Sequence, residues 1–86
     1  MTLGDRVLVG GKLGVLVRDL GGQWLVSVGG AERVCSAAEL VRVPRVGERV
    51  RFDVNRRGVV KLALGALVLV HGDDGVDVFT SAERVK

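Results

Sequence analysis

The chain has 86 residues, of which 48% are hydrophobic and 27% charged, with a formal net charge of +3. Such a content of Val and Leu excludes a disordered or low-complexity chain and leaves room for one small domain or two miniature ones. The longest uncharged runs, Leu20 to Ala31 and Leu62 to Gly72, are too short to span a bilayer. No basic stretch followed by an apolar one opens the N-terminus. A cytoplasmic setting without a membrane partner is therefore expected.

In chain order, Arg6-Val7-Leu8-Val9 reads as a first strand, followed by a loop over Gly10 to Gly14. Val15-Leu16-Val17-Arg18 runs back, Gly21-Gly22 turns the chain into Trp24 to Val28, and Gly29-Gly30 turns it toward Arg33-Val34-Cys35. Ser36 to Leu40 is too short for an α-helix and reads as one helical or 3₁₀ turn. Val41-Arg42-Val43 is a closing strand, and Pro44, the only proline, marks a stiff connector. Beyond it Val50, Phe52 and Val54 alternate with Arg49, Arg51 and Asp53, the pattern of a strand with one face on a core. Val7, Val9, Trp24, Val26, Val50, Phe52, Val60 and Leu69 are the expected core. Cys35, with no second cysteine to pair with, is expected to be an inert strand thiol.

The chain repeats itself. Gly4-Asp5-Arg6-Val7 returns as Gly47-Glu48-Arg49-Val50, Gly22 as Gly65 and Gly29 as Gly72. With one further residue of shift Gly14-Val15 returns as Gly58-Val59, and Ala38-Glu39 as Ala82-Glu83. Matched glycines imply matched turns, since glycine tolerates positive φ. The expected fold is all-β, with one copy over residues 1–43 and the other over 44–86. Two small barrels in contact are favoured over one barrel interlaced from both copies.

Strand, strand, strand, strand, one helical turn, strand is the order of the SH3-like barrels. Each copy resembles the group holding the KOW, Tudor-like and bacterial SH3-like domains. The residues that carry the likeness are Gly4-Asp5-Arg6-Val7 with Gly14-Val15, Gly47-Glu48-Arg49-Val50 with Gly58-Val59, and the closing Ala-Glu pairs. The resemblance implies a non-catalytic binding module. It does not extend to the ligand modes that need aromatic rings, because the chain has no Tyr and only Trp24, Phe52 and Phe79. A methyl-lysine cage, a proline-peptide groove and base stacking all lose their platform.

Catalytic chemistry is sparse. His71 is the only histidine, and no nucleophile motif surrounds Ser27, Ser36, Ser81 or Cys35. His71 to Asp77 offers several oxygen and nitrogen donors but neither an EF-hand order nor a second zinc ligand. No enzyme, cofactor or metal is expected. Gly10 to Gly14 lacks the spacing of a phosphate loop and reads as a basic hairpin loop.

Charge is unevenly placed. Arg45, Arg49, Arg51, Arg56, Arg57 and Lys61 face only Glu48 and Asp53 between residues 45 and 61, whereas Asp73, Asp74, Asp77 and Glu83 meet no base between 73 and 83. With Val50, Phe52, Val54, Val60 and Leu62 inward, the loop joining these strands must hold an odd number of residues, and Arg51 and Lys61 share an outer face. With Val7, Val9, Val15 and Val17 inward, Arg6 pairs with Arg18 outside. Like charges across a strand pair are mildly destabilising and are tolerated more easily against an anion; local neutralisation by Asp53 and Asp5 is the competing explanation. The expected site is Arg49, Arg51, Arg56, Arg57 and Lys61. Its expected partner is nucleic acid, gripped by phosphate without reading of sequence. The alternative is an acidic protein surface, in a structural or adaptor subunit (a small viral structural protein included), with self-assembly into a homo-oligomer through basic and acidic hairpins.

Overall fold

The computed structural model describes all residues, Met1 to Lys86. It is all-β and falls into two compact units, Met1–Val43 and Pro44–Lys86. Five strands build the first unit: β1 (Arg6–Val9), β2 (Lys12–Asp19), β3 (Gln23–Val28), β4 (Ala31–Ser36) and β5 (Leu40–Arg42). Four build the second: β6 (Arg49–Phe52), β7 (Arg56–Leu64), β8 (Leu67–Gly72) and β9 (Asp77–Ser81). The only helical segments are single 3₁₀ turns, Ala37–Glu39 and Ala82–Arg84. No helix is long and apolar enough to cross a membrane.

Each sheet is antiparallel and drawn from one unit alone, in the orders β4-β3-β2-β1-β5 and β6-β7-β8-β9. The interlaced alternative is not what forms. Neither sheet closes on itself as a barrel by strand pairing: β4 and β5, and β6 and β9, remain unjoined edges of their sheets. A further pair extends the second sheet past β6. Arg51 and Lys86 exchange both backbone hydrogen bonds, at 2.8 and 2.9 Å. Lys86 thus stands against Arg51 as Val41 of β5 stands against Leu8 of β1.

The repeat is a repeat of hydrogen bonds. Gly4 donates to the Leu16 carbonyl at 2.9 Å and Leu16 to the Asp5 carbonyl at 3.0 Å; Gly47 donates to Val60 at 2.8 Å and Val60 to Glu48 at 2.9 Å. Gly4 and Gly47 hold matching left-handed φ values of 85° and 90°. Asp5, the acid of the first motif, is buried, accepts the Thr2 N–H at 2.9 Å and lies 3.5 Å from Arg42 Nε. The motif is a strand-entry clasp. Both units also carry a bulge at the same place, with Val17 extra in β2 and Lys61 extra in β7.

The shifts in the sequence match have a simple cause. A two-residue turn, Gly10–Gly11, joins β1 to β2, where three residues, Asp53 to Asn55, join β6 to β7. Likewise Gly29–Gly30 joins β3 to β4, where Asp73 to Gly75 close the β8–β9 hairpin under a Gly72 N–H to Val76 carbonyl bond of 2.9 Å. Each longer loop adds one residue. The 3₁₀ turns therefore match as Ala37 to Ala82, one residue away from the Ala38 to Ala82 match, and Gly21–Gly22 matches Gly65–Ala66. Gly72 takes the place of Val28, opposite Gly58 as Val28 is opposite Gly14.

Those turns also correct the side-chain faces of β2. Gly10 and Gly11 have φ values of 55° and 80°, the double left-handed turn that matches strand twist. Their short hairpin sets Val7 opposite Gly14 and makes Gly14 a strand residue rather than part of a loop. Leu16 then points to the core, and Val15 and Val17 stay exposed. Val7, Val9, Leu16, Val26 and Cys35 form that core, with Trp24, Val28 and Leu40 packed partly buried against it. In the second unit Val50, Phe52, Val60, Val68 and Val70 are buried. Leu69 is only half-buried, because alternation along β8 gives the inner face to its neighbours Val68 and Val70. Val54 sits in the loop, 86% exposed, and Leu62 lies outside.

Candidate functional site

The five basic residues expected to form the site divide into two groups. Arg49 reaches Asp73 at 3.0 Å, Arg56 reaches Asp74 at 3.0 Å and Asp53 at 3.7 Å, and Lys61 reaches Asp77 at 3.3 Å. The acidic β8–β9 hairpin is thus laced to the basic β6–β7 hairpin of its own unit. Lys61 is not opposite Arg51. It occupies the bulge and belongs to a cluster in which His71 Nδ1 lies 2.5 Å from Asp77 Oδ1. Nor does Arg6 face Arg18; their strand partners are Val15 and Leu25.

Two carboxyls in this lacing are held below their ordinary value of 3.8. For Asp74 the hydrogen bond from the Val76 N–H is the main cause, opposed by desolvation and reinforced by the Arg56 charge. For Asp77 the hydrogen bond with His71 leads, desolvation opposes it, and Lys61 adds to it. Asp73, Asp74 and Asp77 are spread over separate cations rather than gathered. No cluster of three or more His, Cys, Asp or Glu residues that could hold a metal occurs in the structure.

Arg51 and Arg57 are different. They stand directly opposite in the β6–β7 ladder, and neither makes an ion pair. Because the Arg51 N–H and carbonyl are both turned toward Lys86, the Arg51–Arg57 pair is the non-hydrogen-bonded kind, in which facing side chains are closest. Residues directly opposite share a face. Arg57, Arg51 and Lys86 therefore form one row of three exposed cations across three adjacent chain segments. Open depressions flank Arg51 on both sides. One, of about 270 Å³, is lined by Arg49, Val50, Arg51 and Arg57; the other, of about 260 Å³, by Arg51, Asp53, Val54, Arg84 and Lys86. Sequence reasoning missed Lys86 and Arg84. The sequence match of Ala38-Glu39 to Ala82-Glu83 puts Val85 at the place of Val41; only the observed 3₁₀ turns, which match Ala37 to Ala82, bring Lys86 opposite Arg51 as Val41 is opposite Leu8.

No family model matches the chain, and no curated protein matches it.

Proposed function

We propose that this chain is a non-catalytic binding module, similar to the KOW-like SH3 group, that grips nucleic-acid phosphates through the outer face of its second unit without reading sequence. One observation carries the reading: the row Arg57, Arg51 and Lys86 sets three cationic side chains side by side, and neither arginine makes an ion pair. Such a row costs folding free energy. An anion laid across it removes that cost, and the depression lined by Arg49, Arg51 and Arg57 has the guanidinium lining that suits phosphate oxygens, while the one on the other side sets Arg51, Arg84 and Lys86 against Asp53. The contact surface is narrower than the whole basic hairpin. Arg49, Arg56 and Lys61 already have carboxylate partners, while Arg51, Arg57 and Lys86, with Arg84 beside them, remain for the ligand. There is no helix to enter a major groove, which agrees with backbone contact alone.

The test is retention on mixed-sequence RNA, DNA and heparin as salt is raised. Each phosphate neutralised releases counterions, so the log–log slope counts contacts. The double variant Arg51→Ala, Arg57→Ala should lower that slope by about 2 while leaving the fold intact. An unchanged slope overturns the reading. Failure to bind any of these polyanions, with capture by an acidic polypeptide instead, would assign the face to a protein partner.

A further inference from the structure

The duplication supplies an internal control for the β9 edge of the second unit. Strand edges expose unpaired N–H and carbonyl groups, and soluble proteins blunt them with prolines, lysines, bulges or charges pointing inward. β4 is such an edge in the first unit, and it is blunted. Arg33 stands opposite Val26, on the face that buries Val26 completely, so a charge sits at an inward position of the outermost strand. β9 is the matched edge in the second unit, bonded only to β8. At the place of Arg33 it has Val78, opposite buried Val70. Asp77-Val78-Phe79-Thr80-Ser81 contains no proline, lysine, arginine or bulge.

The outer face leading to this edge is apolar. Leu62, Leu69 and Phe79 are consecutive partners across β7, β8 and β9, and Leu64 and Leu67 form the next row on the same face. Phe79 is 57% exposed, Leu64 57%, Leu67 45% and Leu62 41%. Large apolar side chains contiguous over three strands mark an association surface. The stripe runs to the edge and stops there, at Phe79.

We infer that β9 is the self-association edge of this protein, pairing antiparallel with β9 of a second copy about a two-fold axis at Phe79. The strand is complementary to itself in that register and in no other that keeps all its residues paired. Phe79 meets Phe79, Val78 meets Thr80, and Asp77, the only charge on the strand, meets Ser81 rather than another Asp77. Inner faces continue into inner faces, because Val78 and Thr80 lie on the side of Val70 and Val68. The outer row becomes six apolar residues long, from Leu62 of one copy to Leu62 of the other. Such isologous contacts close at two copies and do not propagate. A partner bearing a basic or acidic strand would instead leave Phe79 against a charge, so a second copy of this chain is the occupant the edge fits.

Sedimentation equilibrium and light scattering of the full chain, from micromolar to hundreds of micromolar, test this directly. Wild type should be a dimer at the upper end. Val78→Arg, which installs the guard of the first unit, should weaken dimerisation at least tenfold. Val34→Glu, at the position in β4 that matches Phe79, should leave it unchanged. Phe79→Cys in a Cys35→Ser background supplies a readout independent of Val78→Arg folding. Opposed residues in this register lie within disulfide reach, so oxidation should give a covalent dimer, and Val76→Cys in the same background should not. A wild type monomeric throughout, a dimer indifferent to Val78→Arg, or equal crosslinking through residues 76 and 79 would overturn the inference. Polyanion binding by a monomeric Val78→Arg protein would leave the phosphate-binding face standing on its own.

Discussion

Arg56 stands opposite Phe52 at the head of the β6–β7 ladder, and its guanidinium carbon lies 4.9 Å from the centre of the Phe52 ring. The ring is completely buried, and the cation above it reaches out to Asp74 at 3.0 Å. One side chain thus ties the core of the second unit to the tip of its acidic hairpin.

Removing the ring should be far more damaging than removing the cation. Phe52→Ala is expected to cost about 3–5 kcal/mol, the range for deleting a buried aromatic. Arg56→Ala, a partly exposed contact, should cost about 0.5–1 kcal/mol. Urea unfolding followed by circular dichroism and by amide exchange of β6 to β9 reads both, with Trp24 fluorescence as the control from the first unit. A Phe52→Ala protein within 1 kcal/mol of wild type would contradict the placement of Phe52 at the centre of its unit.

Close approach of strands should make Gly58 hard to replace. A Cβ there would fall on the His71 carbonyl oxygen and 2.9 Å from the Gly72 Cα, both of them backbone. Gly58→Ala is expected to cost about 1–3 kcal/mol through overpacking. Its signature should be faster amide exchange in β7 and β8. Gly14→Ala meets the methyl groups of Val26 and Val28 as well as a backbone oxygen, so side-chain adjustment should make it the milder of the two.

Acid should loosen the lacing between the two hairpins. Asp74 and Asp77 titrate below their ordinary value in the folded chain. Their stabilisation is therefore complete above the unfolded-state value near 3.8 and is lost as pH falls from there through the lower folded values. Wild type should lose urea resistance below about pH 4 more steeply than Asp74→Asn or Asp77→Asn. Equal slopes for all three proteins would show that these carboxylates contribute nothing specific to folding. Carboxyl chemical shifts against pH give the two values independently.

A third acid of the same hairpin, Asp73, neutralises Arg49, which bears on the proposed polyanion contact. Asp73→Asn releases Arg49, and the salt slope for heparin or RNA should then rise by about 1. A fall, or no change, would mean that Arg49 stays out of contact even when free.

Cys35, on β4 opposite Trp24, is buried as a member of the first unit's core. Its thiol should resist a bulky disulfide reagent in the native chain and react only as fast as the first unit opens, so its labelling rate should track urea concentration.

Much of this architecture could be read from glycine spacing and valine alternation. The strands, the 3₁₀ turns, the motif Gly4-Asp5-Arg6-Val7 and its second appearance were all legible, because each is a local pattern. The face of β2 was not legible. Val15 and Val17 are as apolar as Leu16, and only the two-residue turn at Gly10–Gly11 decides which of them is buried. Leu69 was misplaced for a related reason: Leu67, Val68, Leu69 and Val70 are all apolar, and composition does not say which alternate pair takes the inner face. At the site, the charges of the two hairpins were visible, yet their pairing was not. Arg49 and Asp73 are far apart in the chain, and folding alone brings them to 3.0 Å.

The two turns that are one residue longer in the second unit, Asp53 to Asn55 and Asp73 to Gly75, are remote in sequence. In space they converge, since Asn55, Arg56, Arg57, Asp73 and Asp74 line a single open hollow of about 290 Å³. The two extra turn residues that set the second copy off from the first therefore amount to one local embellishment on a shared scaffold. New peptide inserted at both tips would meet itself there, and every ladder beneath would keep its register. That corner is the natural grafting point of the molecule, where a recognition loop could be added without asking the sheet to change.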